Sequence, residues 1–431
     1  MHIYFSGIGG TAIGPLALIA HQAGFQVSGS DKQDSQYIHY LQGKGLTDIT
    51  ISQSREHIAR VHQAKPIDWF VYTSALTIEN PDAPELRFCQ EHDIRATKRD
   101  EFLTMFLQQK HLKLIAVAGT HGKTTTTAMA IWLFKQLGIP VSYSVGAKIS
   151  FGEMGHFNPG SEYFVYEADE FDHNFLSFHP HLAMITGIDW DHPDIYPTRE
   201  SYNQAFHTFL AQCKQAVLWQ TDVNRLELTP SADQLVIDED DPQINTALTL
   251  PGLVNRLDAW EVAQAVHQLT GKPLPELVGH LNHFPGVSRR FEQIAPHLYT
   301  DYAHTPPKIR GALQIATETA GRNVVVIYEG LHNTRQHFIK DELATLFDDI
   351  KQLYIVPSYL AREDKNLALL QPTDLRALLS PTTQSHTKPA TLGQALAADI
   401  HKHLAAGDLV LCLTAGGGHS LDEWIRQEFQ K

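Results

Sequence analysis

Cysteine is scarce. The 431 residues hold three, Cys89, Cys213 and Cys412, far apart and in no C-x-x-C pair. An odd, scattered set supports neither a disulfide framework nor a zinc site, and buried free thiols are expected. Basic side chains are in deficit too, 34 Lys and Arg against 48 Asp and Glu, for a formal net charge of −14. That balance argues against nucleic-acid and anionic-membrane partners, which need a basic face. Any anionic ligand must be held locally, by backbone N–H groups, a few Lys or Arg, or a metal. No apolar run reaches the roughly 18 residues that cross a bilayer. At the start, Met1-His2-Ile3-Tyr4-Phe5 enters a glycine turn with no charged region or apolar leader before it, so a cytoplasmic location is expected. Low-complexity tracts and fixed-period repeats are missing as well, which leaves a globular reading throughout.

What is present is a recurring alternation of short apolar strands and amphipathic helices. The length exceeds one ordinary core, and three α/β domains are expected, at 1–105, 106–290 and 291–431. The first opens with a strand Ile3–Ser6, a turn Gly7-Ile8-Gly9-Gly10, a helix Ile13–Ala23 and a strand Phe25–Ser28 that leads to Ser30-Asp31. Strand, glycine turn, helix, strand and acid form the first unit of a dinucleotide-type fold. Ala12 stands where the third glycine of G-x-G-x-x-G would be. A further strand, Trp69–Thr73, ends at Thr73-Ser74 before the turn signal Asn80-Pro81. Open α/β sheets bind ligands beyond the carboxyl ends of their strands, so Gly7, Gly9, Gly10, Ser30, Asp31, Thr73 and Ser74 are expected to line one crevice.

The strongest local signal follows the strand Leu114–Ala118. Gly119-Thr120-His121-Gly122-Lys123-Thr124-Thr125 leads there into a helix through about Leu137. Its glycines let backbone N–H groups and the helix N-terminus surround phosphates, Lys123 adds a point charge, and the Thr124 hydroxyl can ligate Mg²⁺. Two later strands, Tyr163–Tyr166 and Leu182–Thr186, end in Glu167-Ala168-Asp169-Glu170-Phe171-Asp172 and Gly187-Ile188-Asp189-Trp190-Asp191-His192. Glu167 and a neutral His192 are the expected further metal ligands. Either acidic cluster taken alone reads as a helix cap. The pairs His179/His181 and His401/His403 lack Cys or carboxylate at ligand spacing and read as solvated surface.

The last part begins after Gly286-Val287-Ser288-Arg289-Arg290-Phe291-Glu292. Leu298–Thr300 leads to Asp301-Tyr302-Ala303-His304, and Val324–Tyr328 to Glu329-Gly330-Leu331-His332-Asn333-Thr334-Arg335. Leu353–Val356 and Leu409–Leu413 continue the alternation, the latter into Ala415-Gly416-Gly417-Gly418.

In combination and in order, Gly7–Gly10 with Gly29-Ser30-Asp31, Gly119–Thr125, Glu167–Glu170, Asp191-His192, Arg289–Glu292 and Asp301–His304 resemble the Mur ligase family. The likeness runs the whole chain and points to the two branches that bind UDP-N-acetylmuramate, one taking L-alanine and the other recycled murein tripeptide. It implies an N-terminal Rossmann-like domain for the UDP-sugar, a central P-loop ATPase domain for ATP and Mg²⁺ or Mn²⁺, and a C-terminal Rossmann-like domain for the amine, in a monomer or homodimer. It also implies that Gly119, Thr120, His121, Gly122, Lys123, Thr124, Thr125, Asn255 and Arg290 bind ATP, with Lys123 at the β/γ-phosphates. Thr124 with Glu167, and Glu167 with His192, would each hold a metal. Tyr302, His304 and Arg335 would orient the amino-acid substrate, the Arg335 fork suiting a carboxylate.

Several positions depart from the alanine-adding pattern: Val254 and Asp258 beside Asn255, Thr305 and Pro307, and His332 in place of the first of two arginines. The run Glu329…Asn333-Thr334, Ala303, and Asp191–Ile195 lean to the tripeptide branch. The short chain and the Ser30-Asp31 context fit the L-alanine branch as well. The implied chemistry is attack of a lactyl carboxylate on the ATP γ-phosphoryl, then attack of a neutral amine on the acyl phosphate. His304 is favoured over His192 as base, since a metal-bound nitrogen has no free electron pair. Two other classes remain. An inactive nucleotide-binding paralogue is motivated by the departures. An NAD-dependent oxidoreductase is motivated by the first βαβ unit alone and leaves the phosphate loop unexplained.

Overall fold

Every residue of the strand His2–Ser6 is buried, and both faces of it are covered. Ile3 and Phe5 enter one apolar cluster, while Tyr4 joins Ile58 and Phe70 in another. A strand covered on both sides belongs in a parallel sheet flanked by helices. The sheet is parallel throughout, in the spatial order Ile49–Thr50, Gln26–Ser30, His2–Ser6, Trp69–Tyr72, Arg95–Lys98. Its order reverses at His2–Ser6, so the glycine turn opens at a topological switch point.

The structure is a computed structural model, and it is described for all residues except 193–194, 361–362, 365, 415–419 and 431. The expected turn at Ala415–Gly418, and Pro193-Asp194, lie outside the described residues. A second sheet has seven strands in the order Gln234–Ile237, Ala216–Trp219, Leu182–Ile185, Lys113–Ala118, Tyr163–Glu167, Val141–Ser144, Gly155–His156, with only the last pair antiparallel. Both sheets belong to one compact unit, residues 1–248 with 258–285. Within it the two domains touch closely at Gly155, where an added Cβ would lie 2.4 Å from the Pro15 carbonyl oxygen.

Residues 249–257 and 286–431 form a second unit around a six-stranded sheet. Its order is Glu292–Ala295, Leu298–Asp301, Leu409–Leu413, Val324–Leu331, Gln352–Tyr359, Thr387–Pro389, and only the first pair is antiparallel. Val324, Val326 and Tyr328 face one cluster and Val325 and Ile327 the other, the period-2 alternation of a strand buried on both faces. The chain thus has the three-domain α/β architecture expected of it.

Several strand ends differ from expectation. Val324–Leu331 runs on through Glu329, because its parallel neighbour continues to pair it, Leu331 with Tyr359, beyond an irregularity. Glu167 is likewise the last residue of its strand, paired with Val117. Of the cysteines, Cys89 and Cys412 are buried, whereas Cys213 is only partly so. His403 is not simply solvated: its Nδ1 lies 2.8 Å from the buried Asp408 carboxylate.

Candidate active site

The loop 119–122 needs glycine twice. Gly119 (φ +137°) and Gly122 (φ +80°) adopt backbone that side chains disfavour, and an added Cβ would meet Thr186 Oγ1 at 2.5 Å and Asp258 Oδ1 at 2.9 Å, respectively. The turn ends at Gly122, and Lys123–Gln136 follows as a helix whose first N–H groups face the loop. Such an end, with its positive dipole, is a ready site for phosphate. Thr120 fixes the loop to the neighbouring strand end: its Oγ1 meets the Tyr202 hydroxyl at 2.8 Å and accepts from the Asp189 N–H at 2.7 Å. His121 packs at Gly187, where a Cβ would lie 2.5 Å from its ring. Thr125 is buried on the helix.

Lys123 and Thr124 each face a carboxylate. Lys123 Nζ is 2.6 Å from Glu170 Oε2, and the Thr124 hydroxyl donates to Glu167 Oε1 at 2.8 Å. Burial alone would lower the Lys123 pKa, but Glu170, Asp169 and Glu167 together outweigh it and the ammonium is held above its usual value. The Gly146 N–H donates to the other oxygen of Glu167 at 3.1 Å. A hydroxyl and a carboxylate oxygen this close at a phosphate loop suit Mg²⁺, which takes one or two protein oxygens and completes its shell from phosphates and water. His192 lies 3.8 Å from Glu170 and 3.9 Å from Asp191, and adopts φ +55°.

In the first domain, Gly7 (φ +83°) turns the chain so that its N–H and that of Ile8 donate to the Ser30 carbonyl at 2.8 and 3.0 Å. The Gly9 N–H donates to Asp31 Oδ2 at 2.8 Å, and Gly10 closes the turn back on the Gly7 carbonyl at 3.0 Å. These groups share the switch-point crevice. Thr73 precedes a short helix, Ser74–Glu79, and the Ser74 hydroxyl is 3.5 Å from Asn174 Oδ1 in the second domain.

The remaining candidates belong to the C-terminal unit. Asp301 accepts from the Phe291 N–H at 2.7 Å and is pushed up to about 6 by burial. The Arg289 and Arg290 guanidinium groups lie 4.5 and 5.4 Å from the Tyr302 ring centre. His304 packs edge-on to Tyr302 at 4.8 Å, with Nδ1 3.1 Å from the Tyr302 carbonyl oxygen. That contact places the proton on Nδ1 and leaves Nε2 as acceptor. Burial, then Lys308 and Arg335, holds the His304 pKa well below its usual value, so the ring is neutral at neutral pH. Arg335 stands in the first turn of the helix Asn333–Leu343, after His332 (φ +55°). Asn255 Nδ2 donates to the Pro251 carbonyl at 2.8 Å.

Sequence reading gave no role to Asp222 or Glu261, met Glu170 only within the acidic cluster 167–172, and met Asp258 only as a departure beside Asn255. Glu170 is 1% exposed and Glu261 0%. Burial pushes Asp258 up to about 8 and Asp222 up to about 6, and raises Glu261 further, with Asp258 and Asp222 adding to it. A signal was available: Asp258 and Glu261 sit three apart on the helix Leu253–Thr270 among Ala259, Trp260, Val262 and Ala263, an apolar stretch that buries whatever it contains.

A phosphate-loop domain preceded and followed in sequence by dinucleotide-type α/β domains is the build of an ATP-dependent ligase. The comparisons agree. The sequence matches profiles described as Mur ligase family, catalytic domain, over residues 2–111, Mur ligase middle domain over 117–238, and Mur ligase, glutamate ligase domain, over 289–416. The chain belongs to the Mur ligase family. A relative from Renibacterium salmoninarum named UDP-N-acetylmuramate–L-alanine ligase is 30% identical, over 84% of this chain and 83% of its own. The fold is like that of the UDP-N-acetylmuramate–alanine ligase of Thermotoga maritima, with a TM-score of 0.75, 22% identity, and coverage of 99% of this chain and 98% of that one. A murein peptide ligase from Psychrobacter arcticus gives 0.66 at 21% identity, covering 100% of this chain and 99% of that one. Among the described residues no helix is long and apolar enough to cross a membrane.

Proposed function

We propose that the protein joins L-alanine to the lactyl carboxylate of UDP-N-acetylmuramate with hydrolysis of ATP to ADP and phosphate, in the cytoplasmic synthesis of peptidoglycan precursors. The observation that carries this reading is the 30% identity, over most of both chains, to a relative named for that reaction. In this reading residues 1–105 take the UDP-sugar, 106–290 the ATP and 291–431 the amine.

The UDP-sugar is anchored at Gly7, Gly9, Gly10, Ser30, Asp31, Thr73 and Ser74. Backbone N–H groups of the loop 119–122 and the helix after it hold the β- and γ-phosphates, and Lys123 neutralises charge on the transferring phosphoryl. Thr124 with Glu167 would hold one Mg²⁺ and Glu167 with His192 a second, and the metal would supply charge that polarises the γ-phosphoryl. The substrate carboxylate takes the phosphoryl group, ADP leaves, and the amine displaces phosphate from the acyl carbon. Tyr302 and Arg335 orient the amine substrate, Arg335 by its carboxylate. His304, neutral and with Nε2 open, accepts the proton the ammonium must lose.

The competing substrate is recycled murein tripeptide, favoured by the run Glu329…Asn333-Thr334, by Ala303 before His304 and by Asp191–Ile195. Phosphate release by the purified protein with ATP, Mg²⁺ and UDP-N-acetylmuramate separates the readings. Release that depends on L-alanine supports the proposal; release with the tripeptide alone moves the protein to recycling. Absence of any amine-dependent release, with ATP still bound, identifies an inactive paralogue.

A further inference from the structure

The phosphate-loop lysine is already occupied. Lys123 Nζ lies 2.6 Å from Glu170 Oε2 and also donates to the Gly119 carbonyl, and the Lys123 side chain is 13% exposed against 1% for Glu170. A buried ammonium paired to a buried carboxylate is not available to a phosphate until that pair opens. Leaving a buried charge without a partner is costly, so the pair resists opening. Glu170 has other partners in reach, however. Its Oε1 accepts from the Tyr202 hydroxyl at 3.4 Å and lies 3.8 Å from His192 Nε2, and the Tyr196 hydroxyl anchors its backbone carbonyl. Through Tyr202 the same carboxylate reaches Thr120 of the loop, 2.8 Å from the Tyr202 hydroxyl.

We infer that Glu170 is a positioning residue that competes with the nucleotide's β-phosphate for Lys123, holding the lysine folded back on the loop until a nucleotide takes it over. The ion pair orders the empty loop and lowers its affinity for any nucleotide that carries a β-phosphate. When Lys123 leaves, the Tyr202 hydroxyl still donates to the Glu170 carboxylate. This inference rests on the nucleotide-binding reading of the loop and not on the identity of the sugar or the amine.

The test is calorimetric titration of the full-length protein with ADP and, separately, with AMP at fixed Mg²⁺. Glu170→Gln keeps the size and hydrogen-bonding of the side chain and removes its charge; it is expected to bind ADP about tenfold more tightly, with AMP affinity unchanged. Glu170→Asp, one methylene shorter, is expected to move ADP affinity the same way by less and guards against a folding defect in the first variant. In a Lys123→Ala background the Glu170→Gln gain should vanish. Unchanged or weaker ADP binding in both Glu170 variants overturns the inference, as does a gain that survives loss of Lys123. Neither titration contains UDP-sugar or amine, so a failed ligase assay leaves this result standing and the reverse also holds.

Discussion

His304 and Asp258 both carry pKa values moved by burial, in ways with opposite practical signs. For His304, the proposed mechanism needs the neutral ring, and the depressed pKa preserves it to lower pH. In the proposed mechanism the acid limb of kcat/KM therefore falls below the usual histidine value of about 6.5. A limb at or above that value would remove His304 as the base. His304→Asn is expected to lower amine-dependent phosphate release by about 10²–10⁴-fold while ADP binding is kept. Asp258, raised to about 8, binds a proton in the folded protein that it gives up near pH 4 when unfolded. The unfolded state thus binds fewer protons between those values, and stability falls as pH rises from about 4 to 8. Asp258→Asn should melt close to the parent at pH 5 and roughly 5 °C higher at pH 8.5. Equal gaps at both pH values would show that Asp258 is charged in the fold. Lys123 and Thr124 could be singled out from sequence because they lie in one contiguous motif. Glu170, Asp222 and Glu261 were not, because what matters about them is what surrounds them, and that is set by residues tens of positions away.

At the level of elements, the loop 119–122 links local backbone to the sheet beneath it. Gly119 has φ +137°, and a Cβ there would stand 2.5 Å from Thr186 Oγ1 and 2.9 Å from the Gly187 carbonyl oxygen. The second neighbour is backbone and cannot rotate away. Gly119→Ala should cost about 1–3 kcal/mol of backbone strain and displace the loop, weakening ATP binding at least tenfold in a direct titration. Binding at parental strength would mean that the loop relaxes without loss. Strand existence was legible throughout this layer, since buried runs such as Leu114–Ala118 and Leu409–Leu413 have few other uses in a chain of this composition. Strand ends were less so. Whether Glu329 continues a strand depends on the partner strand reaching Tyr359, and no property of Glu329 itself records that.

The molecule as a whole divides into two units with separate cores. Phe102, 1% exposed and packed edge-on against Phe5 and Trp69 at 5.3 and 4.9 Å, belongs to the first. Glu318 belongs to the second, where it accepts from the Gly252 N–H at 2.9 Å and from Arg256 at 3.1 Å. Scanning calorimetry should resolve two transitions. Phe102→Ala, at about 3–5 kcal/mol, should lower one by roughly 10 °C. Glu318→Ala should lower only the other, by about 2 °C, since its ion pair is partly exposed and worth little. A single transition moved by both variants would show the units unfold as one. The expected domain count was readable from length and from the restart of the strand–helix pattern. Residues 249–257 were not, because a short segment that packs with a unit beginning at residue 286 breaks the rule that neighbours in sequence share a core.

The contact of Gly155 with Pro15 bears on how this chain can be recombined with its relatives. Because backbone meets backbone there, with no room for a single methyl group, the first two domains would have to be inherited as a matched cassette. A chimera joined near residue 110 brings together two surfaces that were never fitted to one another. One joined near residue 285, with residues 249–257 taken from the donor of the C-terminal part, leaves each core with its own sequence. On the proposed reading, in which residues 291–431 take the amine, exchange of amine specificity between family members is best attempted at that second junction.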